Sequence, residues 1–192
     1  LPVSLPIPAT LRAGGCCYHR WCRASRRSES GIGSMADTVV IGIGNTIKSD
    51  DGVGVHVLRR LEGVVGDDVD LVEGSVYCAD LFGALEGKKK AVFVDALEAE
   101  EEPGSIFRFS PGEVRQKASV PLSIHDFGLY ELIRTADLMG QCPEDVVIFA
   151  VQVEHTEFGE ELTEAVSAAV DRVCELVLEE LGPPYGRDRE GR

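Results

Sequence analysis

Two adjacent carboxylates, Asp50 and Asp51, stand within a glycine-rich run, Gly42-Ile43-Gly44-Asn45-Thr46-Ile47-Lys48-Ser49-Asp50-Asp51-Gly52-Val53-Gly54. A third carboxylate, Asp95, closes the apolar run Ala91-Val92-Phe93-Val94, and His125 follows the stretch Ser119-Val120-Pro121-Leu122-Ser123-Ile124. Asp51, Asp95 and His125 together make an O,O,N donor set. Such a set, with positions left open, suits a divalent transition ion such as nickel or zinc if the fold converges it. Taken singly, Asp95 reads as a solvated strand end and His125 as a hydrogen-bonding group at a helix terminus. Only a shared location gives them chemistry.

The glycine-rich run must therefore be placed. It follows Val39-Val40-Ile41, a buried strand, and precedes Val53, Val57, Leu58 and Leu61, which share one face of a helix. A strand-to-helix turn of this kind lies where α/β proteins bind ligands. A phosphate-binding turn offers main-chain N–H groups and a positive helix end to an anion. Asp50 and Asp51 would repel a pyrophosphate there and attract a cation. The dinucleotide fingerprint also fails at its third glycine, where Ile47 stands, and Glu73 comes late for the ribose acid. Adjacent side chains diverge, so Asp51 is taken as the ligand and Asp50 as a helix-capping charge.

From Met35 onward, strands alternate with helices. Strands are expected at 38–43, 69–73, 91–95, 105–109 and 146–151, with helices at 52–63, 77–85, 126–139 and 160–181. Ser123 and Asp126 form a capping box for the third helix. This alternation specifies a single α/β domain, a twisted and mainly parallel sheet of about five strands with helices on both faces. In such a sheet the carboxyl ends of the strands make one rim, and the layout puts Asp51 and Asp95 there. His125 joins them if its helix begins on the same side. No Ser-His-Asp or Cys-His arrangement stands out. His56 reads as a solvated helix position and His155, beside Glu154, as a surface histidine.

Composition narrows the function classes. The chain has 192 residues, 44% of them apolar, and a net charge of −14. Residues 1–34 carry five Arg and one Glu, and the remainder is strongly acidic, which argues against nucleic-acid binding. No apolar run is long enough to span a membrane. Residues 1–34 lack strand or helix periodicity and read as a disordered arm or an over-extended reading frame. The domain then covers 35–181, and 182–192 is a polar, disordered tail. Cys16, Cys17, His19 and Cys22 are too closely spaced for a structural zinc pattern. Cys78, Cys142 and Cys174 read as reduced core thiols of a cytoplasmic protein.

Gly42-x-Gly44-Asn45, Asp50-Asp51-Gly52-x-Gly54, Val94-Asp95-Ala96 and Ser123-Ile124-His125, in that order, resemble the hydrogenase maturation endopeptidases. The similarity extends over residues 37–181 and includes Ile148-Phe149-Ala150-Val151-Gln152. It implies a protease that removes the C-terminal extension of the nickel-iron hydrogenase large-subunit precursor. It also implies that Asp51, Asp95 and His125 contact nickel already carried by that substrate subunit, with no permanently bound cofactor. An aspartyl-type activity is the expectation, its division of roles open between a carboxylate base and polarisation of the scissile carbonyl by nickel. Glu73-Gly74-Ser75 departs from the Asp-Gly-Gly-Thr-like turn common in that family, so Glu73 receives no role. The alternative is a non-enzymatic metal- or nucleotide-binding α/β module acting as a maturation chaperone.

Overall fold

A computed structural model describes residues 36–74, 81–116 and 124–185, those at 114–116 and 124–127 by backbone alone. The expected N-terminal arm, Cys78 and the side chains of the Ser123–Asp126 box lie outside the described residues.

Four strands are parallel: β1 (Thr38–Ile43), β2 (Val69–Gly74), β3 (Lys90–Leu97) and β5 (Asp145–Gln152). The short β4 (Ile106–Phe109) lies antiparallel on β5, and the sheet order is β2-β1-β3-β5-β4. Both faces of the central strands are covered, which is why β1, β3 and β5 read as near-continuous apolar runs. Alternation sorts their side chains into two cores. Val40, Val92, Val94, Phe149 and Val151 pack with Val57 and Leu61 of α1 (Val53–Leu61) and Val170, Val173 and Val177 of α5 (Glu164–Leu181). Ile41, Ile43, Phe93 and Ile148 pack on the other face with Leu85 of α2 (Phe82–Leu85) and Leu129, Leu132 and Ile133 of α4 (Ile124–Leu138). Phe93 is wholly buried, a contribution of roughly 2–3 kcal/mol from its apolar area.

Several expected boundaries move. The first helix begins as a single 3-10 turn, Ser49–Gly52, before α1 proper. Of the second, the described residues show Phe82–Leu85, and its expected start at 77 lies outside them; a six-residue α3 (Pro111–Gln116) carries no amphipathic signal long enough to have been read. The closing helix starts at Glu164 rather than 160, because Thr163 is extended and ends the preceding loop. Tyr185, past that helix, accepts a hydrogen bond from Gly66 N–H at 2.7 Å and donates to Asp68. Residues up to Tyr185, expected in a loose tail, are thus tied to the fold, and 186–192 lie outside the described residues.

The β4 edge is guarded by charge. Glu180 of α5 takes Lys90 at 3.1 Å on one oxygen and Arg108 at 3.1 Å on the other, and Lys90 also reaches Asp145 at 2.6 Å. Burial raises the Glu180 carboxyl, but Lys90 and Arg108 outweigh it and hold it below its ordinary value. Cys174 is buried, its thiol pushed up to about 12 by that burial with help from Asp171. Cys142 is half-buried and also raised. Both are free, and neither has the depressed pKa of a nucleophile. His56, expected in solvent, is half-buried on α1. Burial, then Arg59, lowers its pKa, and its Nε2 finds no hydrogen-bond partner among the described residues.

Candidate functional site

The chain leaves β1 for β2 on one side, then returns through α2 to β3 on the other side of β1. The crossovers therefore part between β1 and β3, and the crevice at their carboxyl ends is the topological switch point. Gly42 and Gly54 let the elements close on this point. A Cβ on Gly42 would sit 2.2 Å from Gly54 O. One on Gly54 would sit 2.4 Å from both Ile43 O and Val94 O. So α1 starts in backbone contact with both strands. The turn bearing Asp51 packs against the segment of β3 that continues into Asp95.

Asp51 is 5% exposed, and its Oδ2 accepts Asn45 N–H at 3.2 Å. Its own carbonyl closes on Gly44, where φ is +146° and a Cβ would stand 1.9 Å away. Only glycine satisfies both constraints. The carboxylate is thus oriented by the main chain of the loop that precedes it.

Asp50 is not a cap. No side-chain cap closes either the 3-10 turn or α1. Asp50 is fully buried and reaches across to residues 154–163 instead. Its Oδ1 accepts Thr163 N–H at 2.7 Å, and its Oδ2 accepts Thr163 Oγ1 at 2.9 Å and Glu154 N–H at 2.9 Å. His155 N–H lies 3.5 Å from the same Oδ2. Ser49 completes the join, donating from N to Gly159 O at 2.7 Å and from Oγ to Glu161 O at 2.8 Å. Ser49 holds φ at +49°, a left-handed conformation that costs a non-glycine residue about 1 kcal/mol or more. Removing the Asp50 acceptor would strand buried donors. Asp50→Ala is expected to destabilise the fold by about 3 kcal/mol or more in urea unfolding. A loss of only about 0.5 kcal/mol would restore the capping role.

Asp95 is 1% exposed and lies inside β3, two residues short of its end, rather than terminating it. Its Oδ1 accepts Ala96 N–H at 2.8 Å. Pairing of β1 with β3 stops at Gly42–Val94, so Asp95 stands one step beyond that ladder while still in register with Ala150 of β5. Alternation puts it on the face of Phe93 and Leu97, the face that α4 covers. His125 is in the first turn of α4. The other end of α4 leads through residues 139–144 into the start of β5, which directs that first turn toward the carboxyl rim. Asp51 and Asp95 are thus brought to one rim by described contacts, and the backbone of the first turn of α4, which carries His125, starts toward that rim. Among the described residues, no group of three His, Cys, Asp or Glu side chains is arranged to hold a metal ion.

Gln152 is a participant that little in its sequence neighbourhood singles out. Buried at the end of β5, it accepts Ala99 N–H at 2.8 Å and donates to Val153 O at 2.8 Å, tying down the loop that leaves β3. Its signal was a lone amide ending an apolar run. Glu73 is exposed and pairs with Arg59 at 3.4 Å, and His155 is exposed as expected. A cavity of about 440 Å³ lies elsewhere, between α4 and the amino-terminal half of β5, lined by Leu129, Ile133, Cys142 and Ile148 among others. Neither Asp51 nor Asp95 lines it.

Proteins similar to this chain are known. The sequence profile of the HycI hydrogenase maturation proteases matches residues 55–180, a span that includes Asp95 and His125 and begins just after Asp51. The hydrogenase expression/formation protein HupD of Rhodobacter capsulatus is 30% identical over 146 residues, 73% of this chain and 70% of its own. The hydrogenase 2 maturation protease of Escherichia coli is 25% identical over 143 residues, 73% of this chain and 87% of its own. Among solved structures, the hydrogenase maturating endopeptidase HybD from E. coli superposes with a TM-score of 0.69 at 25% identity, covering 75% of this chain and 91% of that one.

Proposed function

Because the chain belongs to the hydrogenase maturation protease family, we propose that it is the endopeptidase that removes the C-terminal extension of a nickel-iron hydrogenase large-subunit precursor once nickel has been inserted. The observation that carries this reading is the packing of the Asp51 turn against β3 beside Asp95, at the switch point between β1 and β3. Nickel enters as part of the substrate. Asp51 and Asp95 supply hard oxygen donors and His125 an imidazole, a weak and open set beside thiolates of the precursor. Such a set favours docking of a metal-loaded precursor and leaves the metal-free one unengaged. One oxygen of each carboxylate is fixed by a main-chain N–H, from Asn45 and from Ala96, so the carboxylates meet the substrate pre-oriented. Either carboxylate is suited to take a proton from the attacking water as its second role. The reaction is assigned to the cytoplasm with its precursor; the described helices include none long and apolar enough to cross a membrane.

Mass spectrometry of a purified precursor, incubated with this protein with and without prior nickel loading, tests the reading. Loss of one defined C-terminal peptide in the loaded sample alone is the expected result. An intact precursor in both samples would replace the protease with a binding module.

A further inference from the structure

A single parallel bridge joins Lys48 to Gly159 beyond the sheet. Gly159 N–H donates to Ile47 O at 3.1 Å, and Ser49 N–H donates to Gly159 O at 2.7 Å. Ile47, in a turn, and Phe158, in a bend, are the residues immediately before the bridge on their two segments. Both are in solvent, Ile47 52% exposed and Phe158 86% exposed. Two exposed apolar residues on segments tied together by main-chain bonds are not a frayed loop end. Their underside is the Asp50 network, so the pair is rigidly continuous with the turn that presents Asp51. Its surroundings are acidic: Glu157, Glu160 and Glu161 are exposed alongside, and Thr156 reaches Glu98 at 3.2 Å on the neighbouring loop. Lys48 is the cation set against them, at the bridge.

We propose that the Ile47–Phe158 pair is a docking anchor for the substrate, taking an apolar side chain flanked by Lys or Arg on the hydrogenase large-subunit precursor. This rests on the proposed function for the identity of the partner. The apolar pair supplies an anchor of the kind that dominates interfaces, and the glutamates around it select a basic neighbourhood and speed encounter. Because the anchor and Asp51 share one fixed platform, engagement of the pair sets where the scissile segment meets the carboxylates.

The test is binding and cleavage of nickel-loaded precursor by the Ile47→Ser/Phe158→Ser double variant. Leu138→Ser/Met139→Ser serves as control, at exposed apolar residues where α4 ends, toward the opposite rim. The first variant is expected to weaken Kd and raise KM about tenfold or more, with kcat held within about twofold. The control should match the parent protein. Affinity of the parent protein should fall several-fold as salt rises from about 50 mM to about 300 mM. Unchanged Kd and KM in the first variant, or salt-independent affinity, overturns the anchor even where the precursor is cleaved normally. Pair-dependent binding of a precursor that is never shortened upholds the anchor and removes the protease. No binding by the parent protein overturns the anchor.

Discussion

Asp51→Asn and Asp95→Asn are each expected to reduce precursor cleavage by about 10²–10⁴-fold while leaving a folded protein. The amide keeps the shape of the carboxylate and one acceptor oxygen. Asn45 N–H and Ala96 N–H can therefore still be met, and the change in stability should stay near 1 kcal/mol. What is lost is the anionic donor and the base. Cleavage assayed by mass spectrometry, alongside thermal unfolding of each variant, separates the two effects. His125→Gln belongs in the same series. Retained cleavage in all three would take the trio out of the reaction and move the search to other groups on the rim.

Gly54→Ala is expected to cost about 4 kcal/mol or more, enough to leave little folded protein. The new methyl would stand 2.4 Å from two carbonyl oxygens, Ile43 O and Val94 O. Both are backbone atoms of central strands, so neither can rotate away. Relief requires lifting the start of α1 off the sheet, which opens the packing of Val53, Val57 and Leu58 as well. Gly83→Ala is the matched control. Gly83 lies within α2, where an added methyl would meet nothing within 4 Å, and alanine there should be neutral or stabilising by up to about 1 kcal/mol. Urea unfolding of both variants decides it. Equal stabilities would mean that the α1–sheet contact is looser than its backbone distances require.

Strands and faces were legible because their signal is local. The alternation of Val40, Val92 and Val94 against Ile41 and Phe93 is written in adjacent residues, and two covered faces follow from unbroken apolar runs. Asp51 was legible for the same reason, since the strand, the turn and the helix around it are contiguous. Asp50 was misread because every one of its partners lies 104 to 113 residues away, beyond any window of periodicity. The extended start of the last helix was a related error. Leu162 continues the apolar spacing of α5, and nothing nearby announces that Thr163 is committed to Asp50. Gln152 was passed over because a buried amide is recognisable only once Ala99 is seen to need it.

The join between residues 48–50 and 154–163 also fixes when the Asp51 turn can gain its support. β1, the 3-10 turn and α1 emerge early in synthesis, yet the buried Asp50 carboxylate has no acceptor role to fill until Glu154 and Thr163 have been made. A nascent chain can thus collapse around its first strands with the Asp51 turn still unsupported. The platform snaps into place only after β5 and the loop beyond it have left the ribosome, a closure over more than half the chain. Support for the Asp51 turn is in this sense a late acquisition, withheld from any form of the chain that stops short of Thr163.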